Sequence, residues 1–190
     1  YKKVQNLVDI KGLIDYYAIQ LYINNVDFYD NIKYWNTITV SNSTFNDGKW
    51  RYILFDVNGS RWHPMDLTTI ELLYKENFFK QLIQNKEFKH NFAQKIIKLS
   101  FREFEPKNIT KFIDKQEKLY YQALKQDYER WKGKISDDDF IKTQDYFLNF
   151  IQVRDFFQKR PDVIKKYFCK ELDYSQPTEE EVKNVCKQYR

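Results

Sequence analysis

The chain has 190 residues and a formal net charge of +5, a size that suits one domain with a sizeable hydrophobic core. Aromatic side chains make up 18% of the residues, so this core is expected to contain many rings. The 32 basic and 27 acidic residues are mixed along the chain, without a stripe of basic and aromatic residues, which argues against nucleic-acid binding. No run approaches the roughly 20 apolar residues of a membrane-spanning helix.

The first predicted element is a helix over Asp9–Asn24. Apolar residues recur there at the i, i+3 and i+4 spacing of a single buried helix face. Asn24 and Asn25 suit the end of this helix, because Asn tolerates the left-handed backbone that often follows a last turn. The helix is therefore expected to run directly into a polar loop.

A β-hairpin is predicted after this loop. Its strands would span Asn31–Thr37 and Lys49–Asp56, and the residues Asn46, Asp47 and Gly48 between them are typical of a turn. The second strand of a hairpin returns the chain toward the start of the first. The loop that precedes the hairpin and the last residue of its second strand are therefore expected at the same end.

The rest of the chain, from Asp66 onward, is predicted to be helical. Pro106 and Pro161 stand where proline is tolerated, in the first turn of a helix, and Ser136 with the acidic residues after it is typical of a helix start. Gly133 separates two long helices. The sequence thus predicts an α+β fold, mostly α, in which a helical bundle carries a short β-hairpin. The predicted helices span Leu67–Gln84, Lys86–Phe104, Pro106–Lys132, Ser136–Lys159, Asp162–Glu171 and Thr178–Lys187.

Two carboxylates flank the predicted hairpin in an arrangement that phosphoryl transfer uses. Asp27 precedes the first strand, with Asn31 four residues later, and Asp56 ends the second strand, with Asn58 two residues later. In phosphoryl transfer one carboxylate accepts or orients the incoming hydroxyl, while an Asn and a second Asp hold magnesium against the phosphates. The spacing alone is suggestive only, because paired acidic residues near turns are common.

Four segments follow one another in an order that is specific to a known family. They read LIDYYAIQLYINNVDFYDNIKYW, GKWRYILFD, LIQNKEFKHNFAQKI and FFQKRPDVIKKYF. In this order and spacing they resemble the spore coat protein H (CotH) family of atypical, protein-kinase-like enzymes. In that family a helix runs into an Asn-x-Asp-aromatic loop, followed by an Asn, an aromatic-rich strand and a second strand that leads to a metal-binding acid. The resemblance extends from about Leu7 to Leu172.

The resemblance implies roles for individual residues. Asp27 is similar to the catalytic-loop aspartate, Asn31 to its metal-binding asparagine, and Asp56 to the aspartate that opens the magnesium loop. Asn25 matches the asparagine two positions before the catalytic aspartate and is expected at the cofactor. Where family members often carry a second acid, this chain has Asn58, a neutral metal ligand that would weaken a second metal position.

Several residues near this pair invite a role at the site. Arg61 is a candidate phosphate contact, because a guanidinium group matches phosphate geometry. His63 could touch phosphate or substrate, but a surface or structural role is favoured. Trp35, Trp50 and Trp62 could stack on adenine, although packing in the core or the hairpin is the favoured use of the first two.

Other residues are given structural interpretations. Cys169 and Cys186 show no metal-ligand spacing, and they could either form a disulfide or remain two thiols. His90, in the middle of a helix, is expected to be exposed. Arg154 and Arg160 are interpreted as ion-pairing residues of helix packing, not as catalytic ones.

The resemblance also implies a reaction and a setting. It implies an ATP- and magnesium-dependent protein kinase that acts on Ser or Thr of coat or envelope proteins and on itself, at the spore coat, the cell envelope or the cell exterior. The 4 glycines include no phosphate-cradling loop. The chain is therefore expected to be the C-terminal lobe of a kinase, a single domain with a catalytic and metal-loop half (1–66) and a helical half (67–190). The N-terminal nucleotide-binding lobe would lie outside it, and the fragment alone would be inactive.

Two alternatives remain open. One is a catalytically inactive, kinase-like module that binds a partner or serves as a structural element, which Asn58 and the missing lobe suggest. The other is a hydrolase that uses Asp27 and Asp56 on a sugar. That reaction gives no role to Asn31, which makes it the weaker alternative.

Overall fold

A computed structural model describes residues 1–38, 41, 45–134 and 137–189, with the backbone alone for residues 137–149. Within these residues the chain forms eight α-helices, a two-stranded antiparallel sheet and a short 3-10 helix. The predicted fold class, α+β and mostly α, is confirmed. The described helices include none that is long and apolar enough to cross a membrane. In chain order the elements are α1 (Lys2–Leu7), α2 (Ile10–Tyr22), β1 (Lys33–Trp35), β2 (Arg51–Ile53), α3 (Thr68–Lys75), α4 (Asn77–Leu82), α5 (Lys86–Phe101), α6 (Pro106–Trp131), α7 (Asp137–Glu171), α8 (Glu180–Cys186) and the 3-10 helix (Lys187–Tyr189).

Helix α2 leads the chain to the candidate site, and both of its ends follow from the sequence. The Asp9 carboxylate accepts a hydrogen bond from the Gly12 amide (3.1 Å) and so caps the first turn. The same carboxylate lies 3.2 Å from Nε of Arg51, which ties the hairpin to the start of the helix. The predicted left-handed end is confirmed at Asn24, whose φ is 53°.

The predicted hairpin is confirmed, with shorter strands than the sequence suggested. Lys33–Trp35 pairs in antiparallel register with Arg51–Ile53. Gly48 adopts a φ of 73°, in keeping with the turn chemistry of its segment. Three residues beyond the end of β2 the backbone is left-handed at Asp56, with a φ of 49°. A continuing strand does not have this conformation, so the chain leaves the sheet before Asp56 instead of at it.

The single helix predicted over Leu67–Gln84 is wrong, because the chain breaks at Glu76. This residue has an extended backbone, and its carboxylate accepts hydrogen bonds from the amides of Phe78 and Phe79, which begins α4 as a new helix. The hydroxyl of Tyr17 donates to the same carboxylate (3.1 Å) and links the break to α2. A glutamate that caps a helix in this way is hard to tell from an ordinary helical glutamate in the sequence.

The predicted break at Pro161 is also wrong, since α7 continues through it. Proline has no N–H group, so one hydrogen bond of the helix is missing there. Packing explains the continuity, because core residues lie on both sides of the proline and hold the helix in one piece. Ser136, the predicted N-cap, lies outside the described residues. The buried apolar residues around the proline are Phe156, Phe157, Ile164 and Phe168.

The core contains many rings, as the composition predicted. A row of edge-to-face contacts runs from Tyr17 through Phe79 and Phe92 to Phe168, with centroid separations of 5.0, 5.3 and 6.0 Å. Each such contact stabilises the fold by about 0.5–1.5 kcal/mol beyond the burial of the ring area. The row joins α2, α4, α5 and α7, so these helices position α2 and the loop that follows it.

The segment after α7 is held on the core by a disulfide and a buried histidine. Cys169 and Cys186 are bonded, which decides between the two alternatives that the sequence left open. The predicted exposure of His90 is wrong, because only 3% of the residue is exposed. Its Nε2 atom lies 3.1 Å from the carbonyl oxygen of Pro177 and 2.8 Å from Nε2 of Gln94. Pro177 lies 87 residues from this histidine, beyond the reach of local sequence patterns.

Candidate active site

Two loops meet at the end of α2. The first loop comprises residues 24–31, and the second loop comprises residues 56–61, beyond the end of the hairpin. The amide of Val26 in the first loop donates a hydrogen bond to the carbonyl oxygen of Gly59 in the second (3.2 Å). The hairpin therefore brings the two loops to one end, as its antiparallel course predicted.

The buried side chain of Asn25 connects α2 with both loops. Its Nδ2 atom donates to Oε1 of Gln20 (2.8 Å) and to the carbonyl oxygen of Asp56 (3.4 Å), while its Oδ1 atom accepts from the amide of Asp27 (3.3 Å). The backbone of Asn25 also pairs with Ser60 in an isolated antiparallel bridge. These contacts fix the two aspartates relative to each other. Asn25 thus acts as a positioning residue, and its place at a cofactor stays a prediction.

Asn24 anchors the first loop to helix α3. Its Oδ1 atom accepts hydrogen bonds from the amide (3.2 Å) and the hydroxyl (2.9 Å) of Thr69. The hydroxyl also lies 3.2 Å from the carbonyl oxygen of Asn25. Helix α3 begins with Thr68, so one end of this helix holds the end of α2 in place.

The side chains that could bind a cation stand near the surface at these loops. Three of these side chains are exposed, those of Asp27, Asp56 and Asn58. Asn31 is half-buried and follows a turn in which the Asp30 amide donates a hydrogen bond to the Asp27 carbonyl oxygen (3.1 Å). Carboxylate and amide oxygens are the ligands that magnesium prefers, so these residue types fit that ion. Among the described residues, no group of three or more His, Cys, Asp or Glu side chains is placed so that it could hold a metal ion. A metal here would be held by carboxylates and amides together.

Gly59 allows the second loop to pass directly against Asp27. A Cβ atom at position 59 would lie 2.4 Å from Oδ2 of Asp27 and 2.7 Å from its Cβ atom. Separations this short do not occur between nonbonded atoms, so only glycine fits while Asp27 keeps its position. The two loops are therefore in direct contact at Asp27.

Arg160 fixes the end of α2 and the segment after the second loop. Its guanidinium group donates to the carbonyl oxygens of Leu21 (2.9 Å), Tyr22 (2.9 Å), Pro64 (2.8 Å) and Asp66 (2.5 Å). The residue is fully buried. Its interpretation as an ion-pairing residue is therefore wrong, because its hydrogen-bond acceptors are backbone carbonyls from two separate parts of the chain.

Burial lowers the pKa of Arg160 to about 10, which still leaves the group charged at neutral pH. The carbonyls at the C-terminal end of α2 carry partial negative charge and stabilise the buried cation. Arg154, on the same helix, forms the predicted ion pairs, with Asp114 at 3.0 Å and with Glu117. The two arginines of α7 thus have different functions, one on backbone carbonyls and one on carboxylates.

Arg61 and His63 lie exposed beside the second loop. The backbone amide of Arg61 donates to the carbonyl oxygen of Asn24 (3.1 Å), which fixes the main chain, and its guanidinium lies at the surface 4.0 Å from Oδ2 of Asp66. Its contact with phosphate stays a prediction. The exposure of His63 agrees with a surface role.

The tryptophans near the site have packing partners. The ring of Trp62 contacts Phe156, and that of Trp50 contacts Tyr34, both with centroid separations of 5.3 Å. The guanidinium group of Arg51, on the neighbouring strand, lies 5.6 Å from the ring centroid of Trp35. The favoured packing use of Trp35 and Trp50 is confirmed.

No role was predicted from the sequence for three residues that shape the site: Gln20, Gly59 and Thr69. The glycine three residues after Asp56 is a signal for close backbone approach, and it could have been used. Gln20 and Thr69 carry no comparable signal. Their partners are the asparagines at the end of α2, and these contacts appear only once the chain has folded.

Comparison with known proteins gives one family. The model of the CotH kinase protein family matches residues 1–158, which include the hairpin, both loops, helices α1 to α6 and the first part of α7. Searches of curated proteins and of solved structures returned no match. The family match spans well over half of the sequence and contains every residue that the sequence predicted at the site. The chain belongs to the CotH kinase protein family.

Proposed function

We propose that this chain provides the catalytic and metal-binding residues of a protein kinase that transfers the γ-phosphate of ATP to Ser or Thr of coat or envelope proteins, and to itself. One observation carries the proposal: the second loop packs through Gly59 against the exposed carboxylate of Asp27, while the side chain of Asn25 links Asp27 in the first loop to Asp56 in the second. Family membership supports kinase chemistry in general. The meeting of the loops supports these residues as its centre.

The residues at the loops would divide the chemistry among them. Asp27 would orient the incoming hydroxyl and accept its proton, because its carboxylate is exposed where the loops meet. Asn31, Asp56 and Asn58 would hold magnesium, and Arg61 would contact phosphate oxygens. When bound, the ion supplies positive charge beside the phosphates. Most of the rate enhancement would come from positioning and charge stabilisation.

The residues that cover the nucleotide are proposed to lie in another part of a longer protein. The chain has 4 glycines in 190 residues, and none belongs to a Gly-rich phosphate loop. Residues 1–66 would then be the catalytic and metal-loop half of a C-terminal lobe, and residues 67–190 its helical half. This chain alone is expected to transfer no phosphate.

We also propose that the protein works in the spore coat, in the cell envelope or outside the cell. The disulfide between Cys169 and Cys186 supports an oxidising compartment, because cytosolic thiols are normally kept reduced. Both cysteines are buried, so the bond is protected once it has formed. Coat and envelope proteins would be the substrates available in that setting.

Phosphate transfer from γ-labelled ATP tests the proposed function. The assay uses the longest natural protein that contains this chain, with a coat-protein extract as substrate and with magnesium or EDTA. Labelled Ser or Thr is expected only with magnesium. No labelling, together with no magnesium-dependent nucleotide binding in calorimetry, would contradict the proposal. That result would favour a kinase-like binding module, toward which the neutral residue Asn58 points.

Replacing Gly59 with alanine is expected to lower the transfer rate by about a hundredfold. The new methyl group would displace Asp27, and a shift of about 1 Å at a reacting group has an effect of this size. The rate and the urea midpoint of unfolding should be measured together, with Gly12→Ala in α2 as the matched control. An unchanged rate in Gly59→Ala, at unchanged stability, would contradict the role of this close approach.

A further inference from the structure

A groove runs along one face of α7, beside the segment that follows the second loop. It has a volume of about 580 Å³ and is lined on one side by Met65 and Leu67. The lining residues of α7 begin at Gln158, end at Glu171 and recur every three or four positions, so they share one helix face. At about 1.5 Å per residue this face is about 20 Å long, the length of roughly six extended residues.

Apolar side chains are exposed in the groove. Met65 is 65% exposed and Tyr167 is 36% exposed, and Val163 lies half-buried on the same face of α7. Large apolar side chains exposed next to one another are typical of a surface that binds a protein segment. This surface is concave, so it offers an apolar segment contacts on more than one side.

The groove also contains lysines, so the charge that it offers to a ligand is positive. Lys166 and Lys170 lie one turn apart on α7 and are exposed, and neither forms an ion pair within the described part of the chain. The two acids that line the groove already form ion pairs with lysines outside it. Asp162 pairs with Lys165 (2.7 Å) and Glu171 with Lys89 (2.9 Å). The two free ammonium groups therefore favour an acidic ligand.

The groove is fixed in place relative to the candidate active site. Arg160 binds the carbonyl oxygens of Pro64 and Asp66 and so holds the backbone on either side of Met65. Met65 lies six residues after Gly59, which packs on Asp27. Six residues of chain span no more than about 22 Å. The groove and the distance from it to the site are together spanned by at most about twelve extended residues, so one extended segment could occupy the groove and place a hydroxyl at the site.

We propose that this groove binds an extended segment of the substrate protein in which acidic and apolar side chains alternate near the acceptor Ser or Thr. The inference rests on the proposed function, because it assigns the segment to the phosphorylated protein. An extended segment places alternate side chains on opposite sides, so its apolar side chains could face Met65 and Tyr167 while its acids reach Lys166 and Lys170. Nucleic acid fits less well, because two cations do not form a track for a phosphate backbone.

Fluorescence anisotropy tests the groove without any phosphate transfer. The probe is a labelled synthetic peptide of alternating Glu and Leu residues with a terminal Ser, added to the full-length protein. The double variant Lys166→Glu and Lys170→Glu is expected to bind it roughly 5- to 30-fold more weakly. The matched control is Lys111→Glu with Lys115→Glu, two exposed lysines at the same spacing on α6, which should bind like the wild type.

Three results would overturn the inference. They are equal weakening in both double variants, equal binding of a peptide with Gln in place of Glu, and displacement of the peptide by an oligonucleotide of the same length at lower concentration. Helical circular dichroism of each variant shows whether it is folded. Because the replaced lysines are all exposed, their substitution should leave the circular dichroism spectrum unchanged.

The same variants separate the groove from the proposed function. If phosphate transfer is absent but the peptide binds in a lysine-dependent way, the kinase proposal fails and the groove remains a peptide-binding surface. If transfer occurs and KM for the acidic peptide does not depend on Lys166 and Lys170, the groove proposal fails and the kinase proposal remains. We expect KM to rise in the groove variant while kcat is unchanged.

Discussion

Replacing Asp27 with asparagine should lower the rate of phosphate transfer by about a hundred- to ten-thousandfold, the range for loss of a general base. The change removes the charge but keeps the size of the side chain, so the contact with Gly59 is retained. The magnesium concentration that gives half-maximal activity should stay the same. That result would separate hydroxyl activation from metal binding.

Asp56 should give the opposite pattern when it is changed to asparagine. Its backbone φ is 49°, a left-handed conformation that Asn tolerates and Ala does not, so Asp56→Asn changes charge without straining the loop. Loss of a charged ligand should raise the magnesium requirement more than about tenfold. Activity should then recover partly at high magnesium.

The control for both changes is Asp30→Asn. Asp30 is exposed and lies three residues after Asp27 in the same loop, so Asp30→Asn makes the same change of charge at a neighbouring position. It should transfer phosphate at the wild-type rate. A wild-type rate in Asp27→Asn, or the same loss in all three variants, would show that the assigned roles are wrong.

Arg160→Met is expected to lower the free energy of unfolding by about 3–5 kcal/mol. The change leaves four carbonyl oxygens, three of them in buried hydrogen bonds, without the guanidinium donor, and it separates the end of α2 from the Pro64–Asp66 segment. Arg160→Lys should be intermediate, because an ammonium group has fewer donors and lacks the planar fork. Urea unfolding under non-reducing conditions measures both.

The matched control for this prediction is Arg154→Met on the same helix. Arg154 forms its ion pairs near the surface, where such pairs contribute about 1 kcal/mol or less. A loss of stability in Arg160→Met no larger than that in Arg154→Met would contradict the structural role of the buried arginine. The slope of the unfolding free energy against urea concentration must be equal in both variants, since a changed slope would indicate an altered unfolded state.

Local patterns predicted the elements that lead to the site. The apolar spacing of α2, the Asn residues at its end and the turn at Gly48 each act within a few residues, and together they place Asp27 and Asp56 at one end of the hairpin. Their prediction succeeded because the controlling interactions are short in sequence. The roles of these aspartates in phosphate transfer come from the family resemblance, and they stay predictions.

The errors have other physical origins. Glu76 interrupts a helix through its side chain, and α7 continues through Pro161 because of core packing. His90 finds Pro177, and Arg160 finds carbonyls 94 to 139 residues away. These partners of His90 and Arg160 lie outside the window of a helix or strand pattern. Backbone carbonyls in particular leave no trace in the sequence, so an arginine that binds them resembles any other helical arginine.

Helix α7 shows that the part of the chain that matches the family ends before the part that the fold requires. The family match stops at residue 158, in the middle of a helix that continues to Glu171. A fragment cut at that residue would lose Arg160, the second half of the core face of α7 and both cysteines of the disulfide. The two loops and the hydrogen bonds between them would remain in the fragment, but Arg160, which holds the end of α2 and the segment after the second loop, would not. A shortened form that preserves the site must therefore extend through Cys186.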